Sequence, residues 1–122
     1  MTGLSAAEVA FLRAGGRGAL ARLATVDGEG GPRVVPVGWT WDDELGVIVL
    51  GGRNVPGTAR WRHLARHPVA ALTIDGVQGD DGWAPWALLV RGRAERDERR
   101  GAILLHPERV TSWGLPPAPA DH

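Results

Sequence analysis

The sequence lacks cysteine, lysine and tyrosine, and it contains a single phenylalanine. Without cysteine the chain forms no disulfide, no thiolate metal site and no cysteine nucleophile, a composition that suits the reducing cytoplasm. All 14 basic residues are arginine, and they balance 14 acidic residues. A chain with no net charge has no overall field for polyanions, so we do not expect it to bind nucleic acid.

Long apolar runs are also missing, and the N-terminus shows no signal-peptide pattern, so we expect a cytoplasmic protein without a membrane segment. The 122 residues fit one domain, which we place at residues 1–115, followed by a loose Pro/Ala-rich tail at 116–122. A domain of this size has little room for a large ligand cleft. We therefore expect a homodimer that builds its site between two copies.

Short apolar segments that alternate with turn residues predict a mainly β fold. Antiparallel strands are expected to form a β-barrel with two short helices. The predicted strands are Ala19–Val26, Pro32–Trp41, Gly46–Leu50, Val69–Ile74, Trp86–Ala94, Ile103–Leu105 and Val110–Trp113. The predicted helices are Ser5–Ala14 and Thr58–Arg66.

Three local features refine these elements. Ser5 and Glu8 have the spacing of a capping box at the first helix, and Trp61, Leu64 and Ala65 supply an apolar face to the second. A proline inside a strand favours an edge position or a bulge, which is where we place Pro36. The charged residues from Arg96 to Arg100 are predicted to form a turn or a single helical turn.

Four segments in order carry a resemblance that spans nearly the whole chain. They are the strand pair Leu23–Val26 with Gly31–Val37, the helix segment Gly57–Leu72, the strand Val90–Glu95, and the C-terminal run Pro107–Leu115. Together they resemble the pyridoxamine 5'-phosphate oxidase-like family of FMN-binding split β-barrels. The C-terminal run is similar to the branch that uses the deazaflavin coenzyme F420.

The resemblance implies an oxidoreductase that binds F420 at a dimer interface and transfers a hydride to a small organic substrate. FMN is the alternative cofactor, because both molecules carry a phosphate and a tricyclic ring. A second alternative is a non-catalytic split barrel that binds a cofactor or a tetrapyrrole, since a fold does not fix a function. Catalytic side chains stay unassigned, because a flavin or deazaflavin itself carries the hydride.

A phosphate site is predicted at the start of the second helix. Arg53, Thr58, Arg60 and Arg62 surround a glycine-rich loop and a helix N-terminus, where free N–H groups and the helix dipole favour an anion. On spacing alone, an ordinary capped surface helix with solvated arginines is the favoured interpretation. The resemblance favours the phosphate site, although family members commonly carry lysine where this chain has Arg60.

The resemblance also places the cofactor ring against two strands. The implied ring contacts are Val35, Pro36, Val37, Leu50, Gly51 and Gly52, with Trp113 near the ring or the dimer seam. Packing in the β core is the alternative role for the valines. The other five tryptophans are expected to be core or interface anchors.

A metal site is not expected. His63 and His67 have the spacing of two ligands on one helical face, but no carboxylate motif accompanies them and Pro68 ends the helix.

Overall fold

A computed structural model describes residues 3–78 and 83–115 of the chain. Its strands are β1 (Ala21–Val26), β2 (Pro32–Val37), β3 (Thr40–Asp42), β4 (Val47–Leu50), β5 (Val69–Gln78), β6 (Ala84–Asp97), β7 (Ala102–Leu105) and β8 (Arg109–Trp113). Its α-helices are α1 (Ala6–Arg13) and α2 (Ala59–Arg66). Short 3-10 turns lie at Gly16–Gly18 and Val55–Gly57.

The strands pair antiparallel throughout, in the order β2-β1-β5-β6-β7-β4-β3, and β8 pairs with β6. Two sheets share the long strand β6. Its first ten residues pair with β5, and residues 87–91 also pair with β8 on the other side. Its last four residues pair with β7, which leads into the sheet of β4 and β3. This mainly β arrangement is a split barrel, as the sequence predicts.

Strict alternation along the strands builds the core between the sheets. In β1 the side chains of Ala21, Leu23 and Thr25 point inward, and in β5 those of Ala70, Leu72 and Ile74 do the same. The largest fully buried side chains come from all parts of the chain: Leu12, Leu23, Ile48, Leu50, Ile74, Leu88, Ile103 and Leu105. The opposite face of the β1–β5–β6 sheet remains open to solvent.

Helix α1 closes one side of this core. Ser5 caps it, and the predicted capping box with Glu8 is present in both directions. Phe11 packs edge-on against Trp86 at a centroid distance of 5.3 Å. The second oxygen of Glu8 accepts a hydrogen bond from Ser112, which fixes α1 to β8.

The loop after β7 crosses β6 at Gly92. A Cβ at this position would collide with the carbonyl oxygen of His106. Glycine is therefore required here because two backbones approach closely, not because of a turn.

Several predicted boundaries are wrong. The strand predicted at Pro32–Trp41 is two strands, because the chain leaves β2 at Gly38 and β3 pairs with β4 in the other sheet. Pro36 does lie in an edge strand, since β2 ends the sheet. Arg96 belongs to β6 rather than to a turn, and Ala65 on α2 is exposed. The predicted tail at 116–122 lies outside the described residues.

Candidate functional site

Helix α2 begins next to β1 and β2, and its first turn is well organised. Thr58 is the N-cap: its hydroxyl accepts from the Trp61 backbone N–H and donates to the Val55 carbonyl at 2.6 Å. Trp61 and Leu64 anchor the helix in the core. Both buried anchors lie on one face, so the helix start and its arginines remain at the surface.

A cationic hollow of about 250 Å³ lies between α2 and the edge strand β2. We use this name for the hollow lined by Thr25, Arg33, Val34, Val35, Ala59, Arg60 and His63. Sites that enclose a whole small-molecule ligand usually measure roughly 300–1,000 Å³. The hollow therefore matches part of a cofactor, such as its phosphate-bearing chain.

Arg60 is the residue of the hollow whose side chain contains an unsatisfied hydrogen-bond donor. Its Nε atom is buried and has no hydrogen-bond partner. In the described part of the chain no carboxylate lies within ion-pair distance of its guanidinium. Gly52, with φ 145°, brings the loop after β4 close by: a Cβ there would lie 3.8 Å from Nη2. An anion in the hollow would pair with the guanidinium of Arg60, which has no carboxylate partner among the described residues.

Asp27, in the turn after β1, is the acidic partner of Arg33, which lines the hollow. Hydrogen bonds from the backbone N–H groups of Gly31 and Glu29, with the positive charge of Arg33, hold the pKa of Asp27 below the ordinary value. The Arg33 guanidinium is 3.7 Å from the Asp27 carboxylate. Arg33 is thus partly neutralised, whereas Arg60 is not.

The predicted site residues fall into three groups. Val35, Arg60 and the N-cap Thr58 lie in or beside the cationic hollow. Val37 and Leu50 are core residues, with 5% and 1% of their surfaces exposed. Pro36, Gly52, Arg53 and Arg62 are exposed and Gly51 is half-buried, with Arg62 reaching the Gly57 carbonyl at 3.5 Å.

Trp113 lies far from these residues in the folded protein. It is half-exposed on β8, and three strands separate β8 from β2 across the sheet. Four strand spacings correspond to roughly 19 Å along the sheet. Trp113 and the cationic hollow therefore do not meet within one copy of the chain.

Sequence reasoning missed Thr25, Arg33 and His63 as members of the hollow. Thr25 is a buried polar residue in an inward position, and its Oγ1 lies 2.9 Å from His63 Nδ1. His63 follows Arg60 by three residues, which places both on one helical face. This spacing was the available signal, but pairing with Thr25 depends on how α2 packs against β1.

Two larger hollows, of about 420 and 380 Å³, adjoin on the open side of the sheet. We call this side the outer face; Ala24 and Ala71 form its floor, and Val34, Val69 and Leu89 are its exposed apolar side chains. Thr25 and Val34 line both the outer face and the cationic hollow, so the two regions are continuous.

The residues described by the structure contain no group of three or more His, Asp or Glu side chains placed to hold a metal ion. Within those same ranges no helix has both the length and the apolar character needed to cross a bilayer.

Residues 7–114 match the pyridoxamine 5'-phosphate oxidase family. The chain belongs to this family. It is 34% identical over 118 residues to the 5a,11a-dehydrotetracycline/5a,11a-dehydrooxytetracycline reductase of Streptomyces rimosus subsp. rimosus, covering 88% of this chain and 81% of the reductase. Membership and this similarity to a reductase support an oxidoreductase activity.

Two solved structures that share the fold are named for different ligands. A heme binding protein from Mycobacterium smegmatis superposes with a TM-score of 0.69 at 25% identity, over 91% of this chain and 55% of that protein. An F420 reductase superposes with a TM-score of 0.62 at 18% identity, over 88% of this chain and 98% of that protein. The second likeness, at this low identity, shows the shared fold alone.

Proposed function

We propose that the protein is an F420-dependent reductase that works as a homodimer in the cytoplasm and reduces an unsaturated small organic molecule. The observation that carries this proposal is the cationic hollow, where the buried Nε atom of Arg60 has no partner. The tetracycline-type reductase relative supports the reaction class, and the C-terminal run Pro107–Leu115 supports the deazaflavin.

The hollow suits the phosphate of such a cofactor. Arg60 and Arg33 provide guanidinium donors, and the free backbone N–H groups of the α2 start face the same region. Thr58 contributes indirectly, because its hydroxyl is already engaged in capping the helix. Arg53 and Arg62 are exposed beside this helix start and would add positive charge around the hollow.

The tricyclic ring needs an apolar, flat surface next to the phosphate. Val34 joins the cationic hollow to the outer face, and Val35 to Val37 continue along the same edge strand. A reduced deazaflavin held there would supply the hydride for a two-electron reduction, and the substrate would take up one proton besides. The protein's role is to position the ring and to exclude water.

A second copy of the chain would complete the site. The outer face exposes 68% of Val34, 53% of Val69 and 36% of Leu89 on a sheet side that nothing in the described chain covers. Apolar side chains grouped in this way are typical of an interface. Because Trp113 is remote from the hollow within one chain, any contact between this tryptophan and the cofactor would have to come from the second copy.

Binding measurements test the cofactor assignment. The purified protein is titrated with F420 and, separately, with FMN and hemin, while the fluorescence of its six tryptophans is followed. We expect saturable binding of F420, and at least tenfold weaker binding to Arg60→Ala because the unpartnered guanidinium is lost. Arg99→Ala, which removes an arginine from the β6–β7 turn, is the matched control and should bind as the wild type does.

Each contrary result has a defined meaning. Retention of stoichiometric FMN would move the protein to the flavin branch. Tight hemin binding without turnover would favour the non-catalytic alternative, which the likeness to a heme binding protein supports. Equal F420 affinity in Arg60→Ala and wild type would contradict the location of the phosphate. Turnover is then followed by oxidation of reduced F420 with a panel of unsaturated acceptors.

A further inference from the structure

The hydrogen bond between Thr25 and His63 fixes an imidazole inside the cationic hollow. Thr25 is 4% exposed, and its Oγ1 is 2.9 Å from His63 Nδ1. His63 is half-buried and lines the hollow beside Arg60, which lies one turn earlier in α2. Its Nε2 atom has no hydrogen-bond partner in the part of the chain that the structure describes.

This contact decides which ring atom a ligand meets. A threonine hydroxyl both donates and accepts, so it can hold Nδ1 in either neutral tautomer. When the hydroxyl donates to Nδ1, Nε2 carries the proton and donates. When the ring is protonated, both nitrogens donate. In each case Nδ1 is occupied by Thr25, and Nε2 is the atom left for a bound molecule.

The charges around His63 give its protonation a defined effect. Arg33 on β2 and Arg60 on α2 line the hollow together with His63. Asp27, in the turn after β1, interacts electrostatically with His63. Arg66 lies one turn further along α2, where its Nη1 approaches Gly28. From β6, Arg96 contacts α2 through the ring of Trp61.

Protonation of His63 would add one positive charge to the hollow, beside those of Arg33 and Arg60. A phosphomonoester dianion gains more from this added charge than a phosphodiester monoanion does, because the Coulomb energy scales with the product of the charges. Histidine is the side chain that changes charge between about pH 5 and pH 8.

We propose that His63 is a phosphate-binding residue held in position by Thr25, and that its protonation shifts the preference of the hollow from phosphodiesters toward phosphomonoesters. This inference rests on the proposed function, because it assumes that the hollow receives the phosphate of a cofactor. F420 carries a phosphodiester and FMN a phosphomonoester. The same residue would therefore influence which of the two cofactors binds.

The binding test uses FMN, F420 and riboflavin, which lacks the phosphate, at pH 6.5 and pH 8.5. We expect wild-type affinity for FMN to be about fivefold higher at pH 6.5, with changes below about twofold for F420 and riboflavin. FMN loses part of its second negative charge near pH 6, so titration of the ligand itself would act in the opposite direction. In His63→Asn the rise for FMN should disappear, whereas His67→Asn should keep it.

Thr25 is tested separately as the positioning residue. Thr25→Val removes the hydroxyl with little change of shape and should weaken FMN binding and flatten its pH dependence. Thr25→Ser restores the hydroxyl and should recover both. Loss in Thr25→Val without recovery in Thr25→Ser would overturn the positioning role.

A second measurement does not depend on the choice of cofactor. The imidazole NMR signals of His63 are followed during titration with inorganic phosphate, with those of His67 and His106 as internal references. We expect the His63 signals alone to shift in a saturable way. Cofactor binding with no effect of pH or of His63→Asn would overturn this inference and leave the proposed function intact. Failure of the wild type to bind any cofactor, with no phosphate shift, would overturn both.

Discussion

The Glu8 carboxylate accepts a hydrogen bond from the Ser112 hydroxyl, joining residues 104 positions apart in the chain. Its other oxygen accepts from the Ser5 backbone N–H and closes the capping box of α1. Glu8 is 8% exposed. One buried carboxylate therefore completes the first helix and attaches it to the last strand, β8, which carries Trp113.

Truncation of this contact should destabilise the protein. Ser112→Ala should lower the free energy of unfolding by about 1 kcal/mol, because one hydrogen bond is lost. Glu8→Ala should lower it by about 2–3 kcal/mol, since it removes the cap partner and leaves the Ser112 hydroxyl unpaired. Urea denaturation measures both. Glu44→Ala, in the exposed β3–β4 turn, should change stability by less than about 0.5 kcal/mol; an equal effect there would contradict the assignment.

The central strand β6 should be sensitive to cavities. Leu88 is fully buried between β5 and β8, and Leu88→Ala should cost about 2–5 kcal/mol in unfolding free energy. Leu45, which is 55% exposed, offers the same substitution outside the core, and Leu45→Ala should cost less than about 0.5 kcal/mol. Thermal and urea unfolding should rank the variants in this order.

The outer face should control the oligomeric state. A stable dimer buries about 800 Å² per partner, and Val34 is 68% exposed on this face. Val34→Glu would replace an apolar contact by a carboxylate that must lose its hydration on association, so we expect the wild type to sediment as a dimer and this variant as a monomer. Leu45→Glu, an exposed turn residue, should remain dimeric. A monomeric wild type at micromolar concentration would contradict the proposed homodimer.

Stability should depend on pH through Asp27. Its pKa is lowered in the folded protein, chiefly by hydrogen bonds from the Gly31 and Glu29 N–H groups. A lowered pKa stabilises the fold above the ordinary aspartate value, near pH 4, and this stabilisation is lost as the pH falls through the folded value. Asp27→Asn should therefore be less stable than wild type at pH 7, and the gap should narrow toward pH 3.

Denaturation at pH 7, 5 and 3 measures that gap. Glu29→Gln, which removes a negative charge from the same turn without these hydrogen bonds, should show a smaller difference at every pH. A gap for Asp27→Asn that stays constant from pH 7 to pH 3 would show that ionisation of Asp27 is not the cause.

Local sequence signals predicted the helix starts well, because a cap depends on residues three positions apart. Ser5 with Glu8 and the N-cap Thr58 are both present as predicted. The break between β2 and β3 was not predictable from propensity, because Pro32–Trp41 is rich in strand-forming residues throughout. The two halves belong to different sheets, because β2 pairs with β1 and β3 pairs with β4.

The residues of the candidate site also divide into those with a local sequence signal and those whose place depends on tertiary packing. Arg60 was identified from its place beside a helix start, and the resemblance named Val35. Thr25 and His63 were not identified, because their contact joins residues 38 positions apart and depends on the packing of α2 on β1. Val37 and Leu50 were predicted to touch the cofactor ring, with packing in the core as the alternative for Val37. Both are buried, and strand alternation alone could not decide this because it leaves the choice of inner face open.

The shared strand β6 has a consequence for how the molecule opens. The amides of residues 87–91 lie between β5 and β8, and three residues later the same strand begins to pair with β7 of the second sheet. Neither sheet can release this strand without losing its connection to the other. Hydrogen exchange at the centre of β6 should therefore require complete unfolding, so that the two halves of the barrel behave as one cooperative unit.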